Sequence, residues 1–266
     1  MNSAEPSNPF KKTLKALVPS PLRPGAFIER YIRRTVAGGR IAAGLFEGMF
    51  SPPQSICGEH VPKFLGTYEA ELLPVFERLR RVDFEQITDV GAAEGYYAIG
   101  CCRLWPKARV TAFELTELGR DLLAEYARKN GVEARLKIKG RCSAEVLADE
   151  LASRRTGLII MDVEGMEAEL LLGDNLRPLE KFHILVEIHD ALCPGGAEAI
   201  QKAFSRSHRI EIIEARPREA RDLMLPKNAF IRRWFAPGFL AHLNERPLPM
   251  RWFYLSPVNG QSNSGV

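Results

Sequence analysis

From Phe84 onward, short apolar runs alternate with longer amphipathic stretches, and several of the apolar runs end in an acid. Gln86–Val90, Arg109–Phe113, Arg135–Ile138, Leu158–Met161, Ile184–Ile188, Ile210–Ile213 and the late run Trp252–Leu255 read as strands. Tyr96–Leu104, Leu118–Asn130, Ser143–Leu151, Met166–Leu172 and Gly196–Phe204 read as helices, the second closed by Gly131 in the helix-ending position. Strands alternating with helices predict a mostly parallel, seven-stranded sheet with helices on both faces, a doubly wound α/β architecture. The last strand, reached after a long excursion, is expected to lie antiparallel beside the sixth.

Before this core the pattern is looser. Residues 1–25 read as a flexible leader, and 26–82 as a helical and irregular extension that forms part of a lid. Phe27–Ile41 suits an amphipathic helix ended by Gly38-Gly39. Leu45–Pro62 is irregular. Thr67-Tyr68-Glu69 opens a helix through Arg80, with Thr67 as its cap. The core domain spans 83–258, and the polar tail 259–266 reads as disordered. Leu45–Glu69 and Arg216–Met250 are expected to build a lid; the arginines and aromatics of the second suit a polar, anionic or sugar-bearing acceptor, and equally a solvated helix packed through its aromatics.

Composition narrows the class. The apolar fraction of 45% is that of a globular protein, and no apolar run reaches the length of a membrane span. The N-terminus lacks the apolar core of a secretory signal, so a cytoplasmic protein with no membrane partner is expected. A net charge of +4 is too small to imply nucleic acid. Arg30, Arg33, Arg34 and Arg40 read as a solvated helix face, with a role in holding an anionic substrate as the alternative. Cys57, Cys101, Cys102, Cys142 and Cys193 are odd in number and contain no Cys-x-x-Cys pair, which argues against disulfides or structural zinc. The oligomeric state is open.

Three segments carry candidate chemistry. In Asp89-Val90-Gly91-Ala92-Ala93-Glu94-Gly95 a strand runs into a glycine turn, and a helix follows. The spacing differs from the Gly-x-Gly-x-x-Gly of nicotinamide enzymes, and the acid suits a ligand with a positive end, such as S-adenosylmethionine. Glu114 ends the second strand about 20 residues later, where doubly wound folds place a carboxylate for ribose hydroxyls. Its alternative is to cap the helix that follows. Asp162-Val163-Glu164-Gly165-Met166-Glu167 brings Asp162 to the ligand edge of the sheet, while Glu167 reads as complementing a helix dipole. Glu187 and His189 share one face of the fifth strand end. His189 is a candidate general base; alternatively Asp162 and Glu187, with His189 or Asp190, hold a divalent cation such as Mg2+; or the group is a structural network. Ser143 is a candidate to contact an adenine ring and to cap the helix after it, roles that are compatible. His60, His183, His208 and His242 have no comparable company.

Together, these segments resemble the FkbM-type family of class I S-adenosylmethionine-dependent methyltransferases. The resemblance is carried by Asp89 to Gly95, Phe113-Glu114, Asp162 to Glu167 and Val186-Glu187-Ile188-His189, with Gly66-Thr67-Tyr68-Glu69 upstream. It covers roughly residues 65–215 and departs at Ala93-Glu94, where many members have Asn and an aliphatic residue. It implies a Rossmann-like fold and O-methylation of a small-molecule acceptor, the hydroxyl of a sugar or secondary metabolite. It also implies that Gly91, Ala92 and Gly95 line the methionine end of the cofactor and Asp89 orients that turn. Glu69 would reach the cofactor's amino group, and Glu94 would alter how that end is held. Glu114 would take the ribose, Cys142 and Ser143 would flank the adenine, and Asp162 would face the sulfonium. The rival expectations are a nicotinamide-dependent oxidoreductase and a binding protein that no longer transfers methyl groups.

Overall fold

Strands form where the apolar runs are densest: β1 (Gln86–Val90), β2 (Arg109–Phe113), β3 (Leu136–Lys139), β4 (Gly157–Met161), β5 (Phe182–Ile188), β6 (His208–Glu214) and β7 (Arg251–Pro257). The computed structural model describes residues 39–52, 55–152, 154, 156–173, 177–219, 222 and 250–258. The expected leader, nearly all of the Phe27–Ile41 helix, most of the Arg216–Met250 segment and the tail lie outside the described residues.

The sheet order is β3-β2-β1-β4-β5-β7-β6. The first five strands run parallel, and β7 lies antiparallel between β5 and β6. The fold is therefore the expected Rossmann-like α/β sheet with its last strand reversed. β1 and β4 are buried at every position, as central parallel strands covered on both faces must be. Residues alternate between two cores. Leu158 and Ile160 join Ile87, Leu185 and Trp252 on one face, whereas Ile159 and Met161 join Val90, Val186 and Phe253 on the other. Each such fully buried aliphatic side chain contributes about 1.5–3 kcal/mol. β6 closes the sheet with charged Arg209 and Glu211 on its exposed positions, which discourages edge-to-edge pairing.

The helices are α1 (His60–Leu65), α2 (Leu73–Leu79), α3 (Tyr96–Leu104), α4 (Glu117–Lys129), α5 (Ala144–Ala152), α6 (Glu167–Leu171) and α7 (Gly196–Phe204). Two differ from expectation. α1 begins within the stretch read as irregular and runs past its end, with Gly66 after it in the left-handed region. The helix expected from Thr67 does not start there: Glu69 has φ +46, a 3-10 turn covers Ala70–Leu72, and α2 begins at Leu73. Pro74 explains the offset, because it has no N–H to bond back to Ala70 and is tolerated only in a first turn. The Thr67 hydroxyl meets Pro62 O at 3.5 Å and caps nothing. Among the described residues, no helix is long and apolar enough to cross a membrane.

Candidate active site

The strand register builds the site. Val90 pairs with Phe113 and with Met161, and Met161 pairs with Val186. The residues that follow, Gly91, Glu114, Asp162 and Glu187, therefore stand in a row at the carboxyl edge of the sheet. The chain turns to opposite sides from β1 and β4, so the row straddles the crevice where ligands of such sheets bind. Among the described residues, three non-glycines have positive φ: Glu69 (+46), Ala93 (+47) and Glu164 (+52). Ala93 and Glu164 lie in the turns that leave this edge, while Glu69 is tied to Tyr97 just after the glycine turn, and backbone strain concentrates where function over-determines the conformation.

The glycine turn is packed tightly against the rest of the protein. A Cβ on Gly91 would fall 1.8 Å from Asp162 O, and one on Gly95 would fall 2.2 Å from Leu123 Cδ1. Both glycines, with φ +88 and +93, are required by these close contacts within the protein. The turn's N–H groups are not free either. Gly91 and Ala92 both donate to Phe113 O at 2.9 Å, and Gly95 donates to Ala92 O at 2.7 Å. Ala93 N–H donates to Glu114 Oε2 at 2.9 Å.

Glu114 thus ties the end of β2 to the turn after β1. Its Oε1 accepts from Thr116 N (2.7 Å) and Thr116 Oγ1 (2.6 Å). Thr116, not Glu114, caps α4 by accepting from Gly119 N–H. Asp89 is buried under the turn, and its Oδ2 has no hydrogen-bond partner among the described residues. Burial pushes its carboxyl up to about 7, helped by Asp162 and Glu114 and opposed by the Ala98 backbone.

Glu94 does not present an open carboxylate. It is buried and paired with Lys63 Nζ at 2.6 Å, and it accepts from Ser55 Oγ (2.8 Å) and Ile56 N–H (3.1 Å). Burial alone would raise its pKa, but Lys63 and these donors hold it below the usual carboxylate range. It fastens α1 and the preceding loop onto the turn. Glu69 is likewise engaged, accepting from the Tyr97 hydroxyl. Burial and this neighbouring carboxylate push the Tyr97 pKa up. Ser143 caps α5 through Val146 N–H (3.3 Å) and meets Glu145 at 2.7 Å. Cys142 is half-buried beside it, with a thiol that burial pushes up to about 12, so it is no thiolate nucleophile.

The second cluster centres on His189, which follows β5. Its Nδ1 lies 2.6 Å from Glu167 Oε1. Its Nε2 faces Glu164 Oε2 at 3.2 Å, Asp162 Oδ1 at 3.6 Å and Glu187 Oε2 at 3.8 Å. Burial lowers the pKa of His189, but Glu167, Asp162 and Glu164 together lift it above its ordinary value. Burial raises that of Glu167, and the His189 and Gly165 hydrogen bonds bring it below normal. The expected convergence of Asp162, Glu187 and His189 is found. Two further acids belong to it: Glu164, and Glu167, which was read as complementing a helix dipole and grips the imidazole. Asp190 points elsewhere, pairing with Arg251 at 2.8 Å. It is not among the three groups, Asp162, Glu164 and His189, whose ligand atoms lie close enough together to share an ion. The Asp-x-Glu-x-x-Glu spacing was the available signal for the two missed acids.

No protein-family model matches the chain, and no curated protein matches it. Among solved structures it is similar to a precorrin-6y C5,15-methyltransferase from Geobacter metallireducens (15% identity, 71% of this chain and 87% of the other, TM-score 0.46). It is also similar to the O-methyltransferase TomG of tomaymycin synthesis from Streptomyces achromogenes (13%, 70% and 78%, 0.46). A third is an O-methyltransferase from Bacillus cereus in complex with SAH (12%, 92% and 96%, 0.45). Likenesses this distant carry no functional weight; function has to come from the site.

Proposed function

We propose that the chain is an S-adenosylmethionine-dependent methyltransferase that methylates a hydroxyl of a polar small molecule, a sugar or secondary metabolite. The observation that carries the reading is the row formed by the glycine turn, Glu114, Asp162 and Glu187 along one sheet edge, with His189 beside it. The residues fit such a cofactor. Asp89 Oδ2 is an unsatisfied acceptor at the turn, and Glu114 is a buried acceptor with lone-pair capacity left, so both favour a ligand bearing an ammonium group and hydroxyls.

When bound, the cofactor supplies an electrophilic methyl group. The chain's share is to align the acceptor oxygen and to deal with its proton. A neutral alcohol is a weak nucleophile, so the imidazole and carboxylates about His189 are placed to assist as its proton leaves. Glu167 fixes the ring orientation for that task.

A thermal-shift comparison tests the class. A ligand at a hundred times its Kd stabilises by about 2.7 kcal/mol. S-adenosylhomocysteine should then raise Tm by roughly 5–10 °C, and NADH should not. The opposite ranking would make the protein an oxidoreductase.

A further inference from the structure

His189 has one ring nitrogen committed and the other open. Glu167 accepts the Gly165 N–H at 3.0 Å and sits 2.6 Å from His189 Nδ1, so Nδ1 carries the proton and donates it. In the neutral ring Nε2 is then a bare lone pair. His189 is only 6% exposed, and Nε2 makes no hydrogen bond among the described residues. It faces carboxylate oxygens at 3.2, 3.6 and 3.8 Å. A lone pair among carboxylates is repelled unless positive charge lies between them. A proton on Nε2 would favour one aligned hydrogen bond, yet none is formed toward any of the three.

We propose that Asp162, Glu164 and His189 hold one divalent cation, with Glu167 as the carboxylate that orients His189. One ligand atom from each of the three lies within 4.8 Å of the others. Ligands about 2.1 Å from a shared ion sit roughly 3.0–3.4 Å apart, so the observed separations from Nε2 need only a small contraction. A histidine whose second nitrogen donates to a carboxylate is the arrangement that fixes tautomer and raises ligand basicity in metal sites. Glu164 is held in the left-handed region (φ +52), and its side chain is 60% exposed, which gives the ion a path from solvent.

The donor set selects the ion. Carboxylates accept Mg2+ or Mn2+, but imidazole suits transition ions, and Mg2+ demands oxygen ligands in strict octahedral geometry. The site therefore takes Mn2+ or Zn2+ ahead of the Mg2+ expected from sequence. The site's purpose rests on the methyltransferase reading: a cation here lowers the pKa of the acceptor hydroxyl. Its existence does not.

The test is calorimetric titration of the EDTA-stripped, dialysed full chain with MnCl2, ZnCl2 and MgCl2, without cofactor. One saturable site per chain is expected, tighter for Mn2+ and Zn2+ than for Mg2+. Asp162→Asn and Glu164→Gln should abolish or sharply weaken it, and Glu167→Gln should weaken it about 10–100-fold, all with unchanged circular dichroism. No saturable binding to folded wild type, binding indifferent to Asp162→Asn and Glu164→Gln, or tightest binding of Mg2+ overturns the proposal. S-adenosylhomocysteine is titrated separately in EDTA. If it fails to bind there while Mn2+ binds in the metal titration, the methyltransferase reading falls and the cation site stands; the reverse does the opposite.

Discussion

Replacing Lys63 by Met isolates the contact that holds the N-terminal extension to the glycine turn. Lys63 and Glu94 meet at 2.6 Å with side chains 6% and 2% exposed, so the loss is not screened by solvent. Lys63 Nζ also reaches Cys57 O (2.5 Å) and Ser55 Oγ (3.2 Å). Deleting one member of a buried pair strands the other charge, at a cost of about 3–5 kcal/mol. For a chain of this size that lowers Tm by roughly 6–15 °C. The pair also has a pH signature. Glu94 titrates below its unfolded value of 4.5, so its stabilisation is complete above pH 4.5 and is lost as the pH falls through the lowered folded value. The Lys63→Met deficit should therefore be largest near neutrality and shrink in acid. Adding Glu94→Gln to Lys63→Met removes the stranded charge and should recover part of the loss. Thermal melts of wild type, both single variants and the double variant, from pH 3.5 to 7.5, read all of this. A deficit under about 1 kcal/mol at pH 7, or strictly additive singles, would refute the reasoning.

Three further outcomes follow from the site. Gly91→Ala should cost far more than Gly131→Ala, although both have positive φ. The first drives a Cβ to 1.8 Å from Asp162 O, whereas the second meets nothing within 4 Å and should cost only about 1–2 kcal/mol; equal losses by denaturant melt would deny the close approach. His189→Ala should lower turnover on a true acceptor by about 100-fold or more while leaving S-adenosylhomocysteine affinity intact, and steady-state kinetics showing full turnover would remove His189 from the chemistry. Glu167→Gln should reduce turnover and metal affinity together without moving KM for the cofactor; a change in cofactor KM alone would show that it does not act through His189.

The sheet was legible because its signal is local. β4 is a continuous apolar run and β1 and β2 are short segments that mix apolar and polar residues, and tertiary packing moved the expected ends by no more than a residue or two. The antiparallel β7 was legible from the long excursion before it, but its insertion between β5 and β6 was not, since strand order is a property of contacts distant in sequence. α1 and the 3-10 turn before α2 were missed for a different reason. Pro74 overrides the amphipathic pattern there, and α1 is too short to show a period. At the site, one residue per strand end could be read from the chain, because strand ends share an edge by construction. Partners could not. Glu94 finds Lys63 31 positions away, and Asp190 finds Arg251 61 positions away. Glu167 looked like a helix-dipole acid because that role is satisfied by its position in sequence. In the fold its carboxylate is turned onto His189.

The most direct measurement is calorimetric titration of the purified chain with S-adenosylhomocysteine in EDTA, for wild type, Glu114→Ala and His189→Ala. One site per chain with micromolar Kd is predicted. Glu114→Ala should weaken it by about 10–100-fold, the worth of hydrogen bonds to a charged acceptor, and His189→Ala should leave it unchanged. Folded wild-type protein that takes up no S-adenosylhomocysteine, or a Glu114→Ala variant that binds it as tightly as wild type, would contradict the account.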